Sequence, residues 1–96
     1  MLGEIQGADI GSELDFHRAV AGALDLGPYH GRNLSALWDA LSANVERPVC
    51  LIWRDADISR RRLGDDLFDR IRDILDRVVE QDRSSGWVER FEYELR

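Results

Sequence analysis

Apolar positions alternate between two rhythms along the chain, and the changes of rhythm predict the order of its elements. Leu2 to Ile5 is a short strand candidate, and Gly7 and Gly11 bracket a turn. Leu14, Phe16, Ala19, Val20, Ala23 and Leu24 recur at helical spacing, which predicts a first helix over 13–25. Ser12 is its N-cap candidate, with Asp15 three residues on as capping-box partner, and Gly27-Pro28 ends it. A second helix is predicted over 33–43, capped by Asn33, with Leu34, Leu37, Trp38 and Leu41 as its apolar stripe. Pro48 breaks the chain before an all-apolar strand at 49–53, the pattern of a strand covered on both faces. Residues 55–63 read as a short irregular helix containing Ile58 and Leu63. After Gly64, Leu67, Ile71, Ile74, Leu75 and Val78 line one face of a long amphipathic helix at 66–81. Beyond a Ser84-Ser85-Gly86 turn, strict alternation from Trp87 to Leu95 predicts a strand with one face in the core and one in water, Glu89 being the exception.

Strands separated by helices pair in parallel and define an α/β domain. The expectation is one domain, 1–96, with a small three-stranded parallel sheet and about four helices mainly on one face. A chain of 96 residues buries a real core with little stability to spare. Hydrophobic residues make up 44%, which suits a folded globule rather than a disordered tail.

The net charge of −6 argues against nucleic acid as a partner and is compatible with a basic protein, although it also serves solubility alone. All 13 cationic residues are arginine, a bias that suggests a GC-rich bacterial genome. The single cysteine, Cys50, sits in an apolar run and is expected to be buried and inert. The start of the chain lacks the basic and apolar regions of a signal peptide, and no apolar run approaches a membrane span. A cytoplasmic protein is expected.

Candidate chemistry is sparse. His17, His30, Cys50 and the carboxylates show no metal-ligand spacing, and no phosphate-binding glycine loop is present. No metal or cofactor is therefore expected. Ser35, His30 and Asp39 lack the strained turn that exposes a nucleophile, so no catalytic residues and no enzyme activity are expected. Arg60-Arg61-Arg62 reads as a solvated loop. There remains a surface. With Leu34, Leu37 and Leu41 inward, Ser35, Asp39 and Ser42 point outward, Tyr29 and His30 precede the helix, and Asn44 and Glu46 follow it. Aromatic groups around a central charge suit a protein interface. On these residues alone the plainer reading is favoured, with Trp38 in the core and Asp39 an ordinary solvated helix position.

The stretch Tyr29-His30-Gly31-Arg32-Asn33-Leu34-Ser35-Ala36-Leu37-Trp38-Asp39-Ala40-Leu41 resembles the barstar family, whose pattern is Tyr-Tyr-Gly-x-Asn-Leu-Asp-Ala-Leu-Trp-Asp-Ala-Leu. Val45-Glu46-x-Pro48, Trp53-Arg54 and the upstream Asp15-Phe16-His17 are similar to family features too. The close match covers about a quarter of the chain. The resemblance implies a barstar-like fold and inhibition of guanine-preferring ribonucleases of the barnase type. It implies that Asp39 takes the place of substrate phosphate among the enzyme's cations. Tyr29 would pack on the catalytic histidine, and Asn33, Leu34, Trp38, Ser42 and Val45 would form the contact shell.

Three departures stand out: Ser35 replaces an aspartate, His30 a second tyrosine, and Asn44 a tryptophan. The family's rim glutamate on the later helix aligns with Arg77, leaving Asp73, Asp76 and Glu80 as acids near enough to substitute. The resemblance thus implies a cytoplasmic immunity protein that binds a secreted or delivered ribonuclease one to one as a monomer, with no nucleic acid or membrane partner. The alternative is a barstar-like binding module whose partner is not a ribonuclease.

Overall fold

The computed structural model describes residues 1–26 and 33–96, with Asn44 described by its backbone alone. Its elements run β1 (Leu2–Gln6), α1 (Glu13–Leu24), α2 (Leu34–Asp39), β2 (Val49–Arg54), α3 (Ala56–Leu63), α4 (Asp65–Ser84) and β3 (Phe91–Leu95). The three strands form one parallel sheet in the order β1-β2-β3, with Ile5 opposite Trp53 and Trp53 opposite Leu95. The expected three-stranded parallel α/β architecture with four helices is what the chain adopts.

Side-chain alternation gives the sheet two unlike faces. Ile5, Val49, Leu51, Trp53 and Phe91 are buried beneath the helices. The other face carries Leu2, Glu4, Cys50, Ile52, Arg54, Glu92 and Glu94, most of them exposed or half-buried. There Glu4 pairs with Arg54 and Glu94 with Arg96, and only Ile52 in the central strand is buried. Cys50 is half-buried on this face rather than fully enclosed. Burial pushes its thiol pKa up, and Glu92 and Glu94 add to the rise, so at neutral pH it holds its proton.

The core is built on stacked aromatic rings. Trp53 lies 5.0 Å from Phe16 of α1 and 5.1 Å from Phe68 of α4, between ring centres. Its indole N–H donates to Ser59 Oγ at 3.0 Å, and Ser59 in turn donates to the Gly7 carbonyl at 3.0 Å. This buried relay ties α3 to β2 and to the exit of β1 with each polar atom satisfied. His17, a metal candidate from its residue type, is fully buried on α1 and lies 3.0 Å from Glu13. Among the described residues no three potential metal ligands gather.

Gly7 lies where two backbones meet. A Cβ there would sit 2.2 Å from the Asp55 carbonyl oxygen and 2.5 Å from that of Arg54. Neither can yield without moving the end of β2. Gly7→Ala is expected to lower stability by about 1–3 kcal/mol through overpacking, read as a lower urea midpoint with unchanged slope.

Several boundaries differ from expectation. Ser12 caps α1 by accepting the Asp15 N–H, but the Asp15 carboxylate takes the N–H of Gly11 rather than that of Ser12. The chain leaves α1 at Asp25 in a left-handed conformation, and Gly27-Pro28 lies outside the described residues. The 55–63 stretch is a regular helix, and α4 runs to Ser84. The largest correction concerns the last segment. Alternation from Trp87 predicted strand, yet β3 starts only at Phe91. Its partner β2 starts at Val49, opposite Phe91, because Pro48 has no N–H for a ladder. Residues 87–90 therefore have no neighbour strand. Trp87 donates its N–H to the Asp82 carbonyl at the end of α4 instead.

Candidate functional site

Asn33 caps α2 as its residue type suggested, its side-chain oxygen accepting the Ala36 N–H at 2.9 Å. The helix winds regularly to Asp39 and then widens into a π turn over Ala40–Asn44. The Ala40 N–H is shared between the carbonyls of Ala36 and Leu37, where the widening begins. Sequence spacing predicts one uninterrupted helix here. The wider turn allows adjacent Ala40 and Leu41 both to face the core, at 6% and 0% exposure. Such π insertions concentrate at functional sites.

The inward stripe falls as expected, with Leu37 and Leu41 fully buried and Leu34 half-buried. Ser35 and Asp39 are exposed, Ser42 is half-buried, and Glu46 is exposed. Trp38 is half-buried against the core, so part of its ring remains at the surface. Val45 is buried in the core at 7% exposure, and supports this surface from behind rather than standing on it. Tyr29, His30, Gly31 and Arg32 lie outside the described residues, as does the Asn44 side chain.

Charge on this segment is one-sided. From Asn33 to Glu46 the chain carries Asp39 and Glu46 and no cation. Asp39 makes no hydrogen bond or ion pair with another described residue. On α4 four of the six exposed acids are paired with arginines, Asp65 and Asp69 with Arg60 of α3, Asp66 with Arg70 at 3.3 Å and Asp73 with Arg77 at 3.0 Å. Of the other two rim candidates, Asp76 accepts from the Tyr93 hydroxyl and Glu80 from Ser84 Oγ at 3.3 Å. Both open toward β3, lining a hollow with Arg72, Arg83 and Tyr93. All three rim acids thus have partners of their own, whereas Asp39 has none among the described residues.

The segment leaves its π turn into a buried ion pair that sequence reading missed. Arg47 grips Asp82 with two nitrogens, Nε to Oδ2 at 3.0 Å and a terminal nitrogen to Oδ1 at 3.1 Å. Its other terminal nitrogen donates to the Val45 carbonyl at 2.8 Å. Asp82 Oδ2 also accepts the Phe91 N–H at 2.7 Å. Burial alone would raise the Asp82 pKa, but the bonds from Arg47 and Phe91 outweigh it and hold the carboxyl below its usual range. One carboxylate thus joins the exit of the acidic segment, the end of α4 and the start of β3. A signal did exist: Ile71, Leu75 and Val78 point inward, and the next position on that stripe is Asp82.

The geometry has no nucleophile or metal cluster among the described residues. It defines a small α/β protein presenting an acidic helix face whose opposite side is packed into the core. The chain belongs to the barstar family: the model for "Barstar (barnase inhibitor)" matches residues 1–94. It is also 31% identical over 80 residues to a Bacillus subtilis (strain 168) protein named "Putative ribonuclease inhibitor YrdF", covering 80% of this chain and 88% of the relative. Among the described residues no helix is long and apolar enough to cross a membrane.

Proposed function

We propose that this chain is an intracellular ribonuclease inhibitor. It acts as an immunity protein that blocks a secreted or delivered bacterial ribonuclease with its 29–46 segment. Asp39 serves as the phosphate mimic. The observation that carries this reading is Asp39 itself, an exposed carboxylate with no described partner on a helix whose opposite face is locked into the core. A ribonuclease site that binds RNA phosphate must gather cations, and a carboxylate accepts paired hydrogen bonds from guanidinium groups. Family membership supplies the class of partner. The net charge of −6 speeds encounter with a basic enzyme. The fit is one to one, with a monomeric inhibitor in the cytoplasm.

Ser35 favours a second reading. It is exposed one turn before Asp39 and neutral, so the face carries less charge than the family pattern. That difference suits either a different cognate ribonuclease or a partner of another kind. Titration of small basic ribonucleases, barnase included, separates the two. Nanomolar or tighter inhibition whose association rate falls with added salt supports the inhibitor. No inhibition of any of them favours the second reading.

A further inference from the structure

Trp87 is 48% exposed and Val88 92% exposed, on the turn between α4 and β3. Isolated exposed apolar residues are ordinary, but Trp87 is held in place. The Arg47 guanidinium lies over the Trp87 ring, 5.6 Å from its centre, and is itself locked to buried Asp82. The Trp87 carbonyl accepts Arg90 Nε at 2.6 Å. One face of the indole is thus stacked while part of the residue stays open to solvent. The pair and Glu89 line, with Arg47, an open hollow of about 480 Å³.

We infer that the Trp87-Val88 corner is a second contact of the inhibitory surface, an apolar anchor that packs against the ribonuclease beside the acidic segment. The inference rests on the proposed function and deepens it. Continuity supports it, because Arg47 bonds the Val45 carbonyl, directly joining the corner to the end of the 29–46 segment. Charge supports the same occupant. Exposed Glu89 lines the hollow and exposed Glu46 immediately precedes Arg47 in the chain, which suits a basic partner. Pre-ordering supports it too, because a tryptophan already fixed by stacking loses little freedom on binding.

The test measures inhibition constants of the wild type, Trp87→Ala, Val88→Ser and Asp39→Ala, using barnase and other small basic ribonucleases as probes. Thermal midpoints verify folding, and Val88, almost wholly in solvent, gives a variant that does not depend on the stacked ring. For an enzyme that the wild type inhibits, Trp87→Ala is expected to weaken binding about tenfold or more. Val88→Ser is expected to weaken it less, with its midpoint unchanged. If Asp39→Ala collapses inhibition while both corner variants bind as the wild type does, the inference is overturned and the proposed function stands. If the wild type inhibits no ribonuclease, both fall. A dimer of the free chain that Trp87→Ala dissolves would assign the corner to a second copy and overturn it as well.

Discussion

Asp39→Ala should cost the protein most of its inhibition while leaving its fold intact. The side chain is exposed, ends α2 and has no described partner, so folding draws little from it. Its expected role begins only in the complex, where it would lie desolvated among cations. Removing it there leaves those cations buried and unpaired, at a cost of about 2–5 kcal/mol, or roughly thirty- to several-thousand-fold in affinity. That range includes charge pairs from complexes of this family, so its size is carried over rather than worked out for this chain. Asp39→Asn, of the same shape without the charge, should lose a similar amount. The checks are the inhibition constant and the thermal midpoint of each variant. Unchanged inhibition in Asp39→Ala would make Asp39 an ordinary solvated position and refute phosphate mimicry.

Asp82→Ala should be the most damaging substitution for stability. It strands the Arg47 guanidinium, whose side chain is only 10% exposed, and removes the acceptor of the Phe91 N–H. Breaking one side of a buried pair costs about 3–5 kcal/mol, a large share of the roughly 5–15 kcal/mol that holds such a domain folded. Urea titration at neutral pH measures the loss. Replacing both partners with apolar residues, Arg47→Met with Asp82→Leu, should recover part of it, because no buried charge is then left alone.

The same pair gives stability a pH dependence of fixed sign. The Asp82 pKa is lowered in the folded protein, so its contribution is complete above the ordinary value of 3.8 and disappears as pH falls through the lower folded value. The gap in midpoint between wild type and Asp82→Ala should therefore narrow in acid below that value. A gap constant from neutral pH into strong acid would mean that the carboxylate's charge is not what stabilises.

Much of this molecule was legible in local pattern. The helical period brought out α1 and α4, and the capping residues Ser12 and Asn33 fell where their side-chain oxygens meet free N–H groups. The expectation that Asp39 faces solvent followed from its offset to Leu37 and Leu41. Where reading failed, the deciding partner was distant in sequence. Trp87 to Arg90 alternates like a strand, but a strand needs a neighbour, and β2 starts too late to supply one. Nothing local joins Arg47 to Asp82, because a pair 35 residues apart has no local period. The π turn was equally hidden. Spacing alone does not distinguish a wide turn from a regular one when both Ala40 and Leu41 are apolar.

Spacing and side-chain chemistry were thus enough to bring out most of the helices and the outward acidic helix face, because those depend on neighbours within a few residues, and the alternation of strands with helices carried the parallel order. Folding alone revealed which charges are spent internally and which remain for a partner. Four exposed acids of α4 pair with arginines of α3 or α4, and Asp82 is consumed by Arg47, while Asp39 keeps its charge with no described partner. That division depends on which side chains packing brings within hydrogen-bonding reach and which it leaves in water.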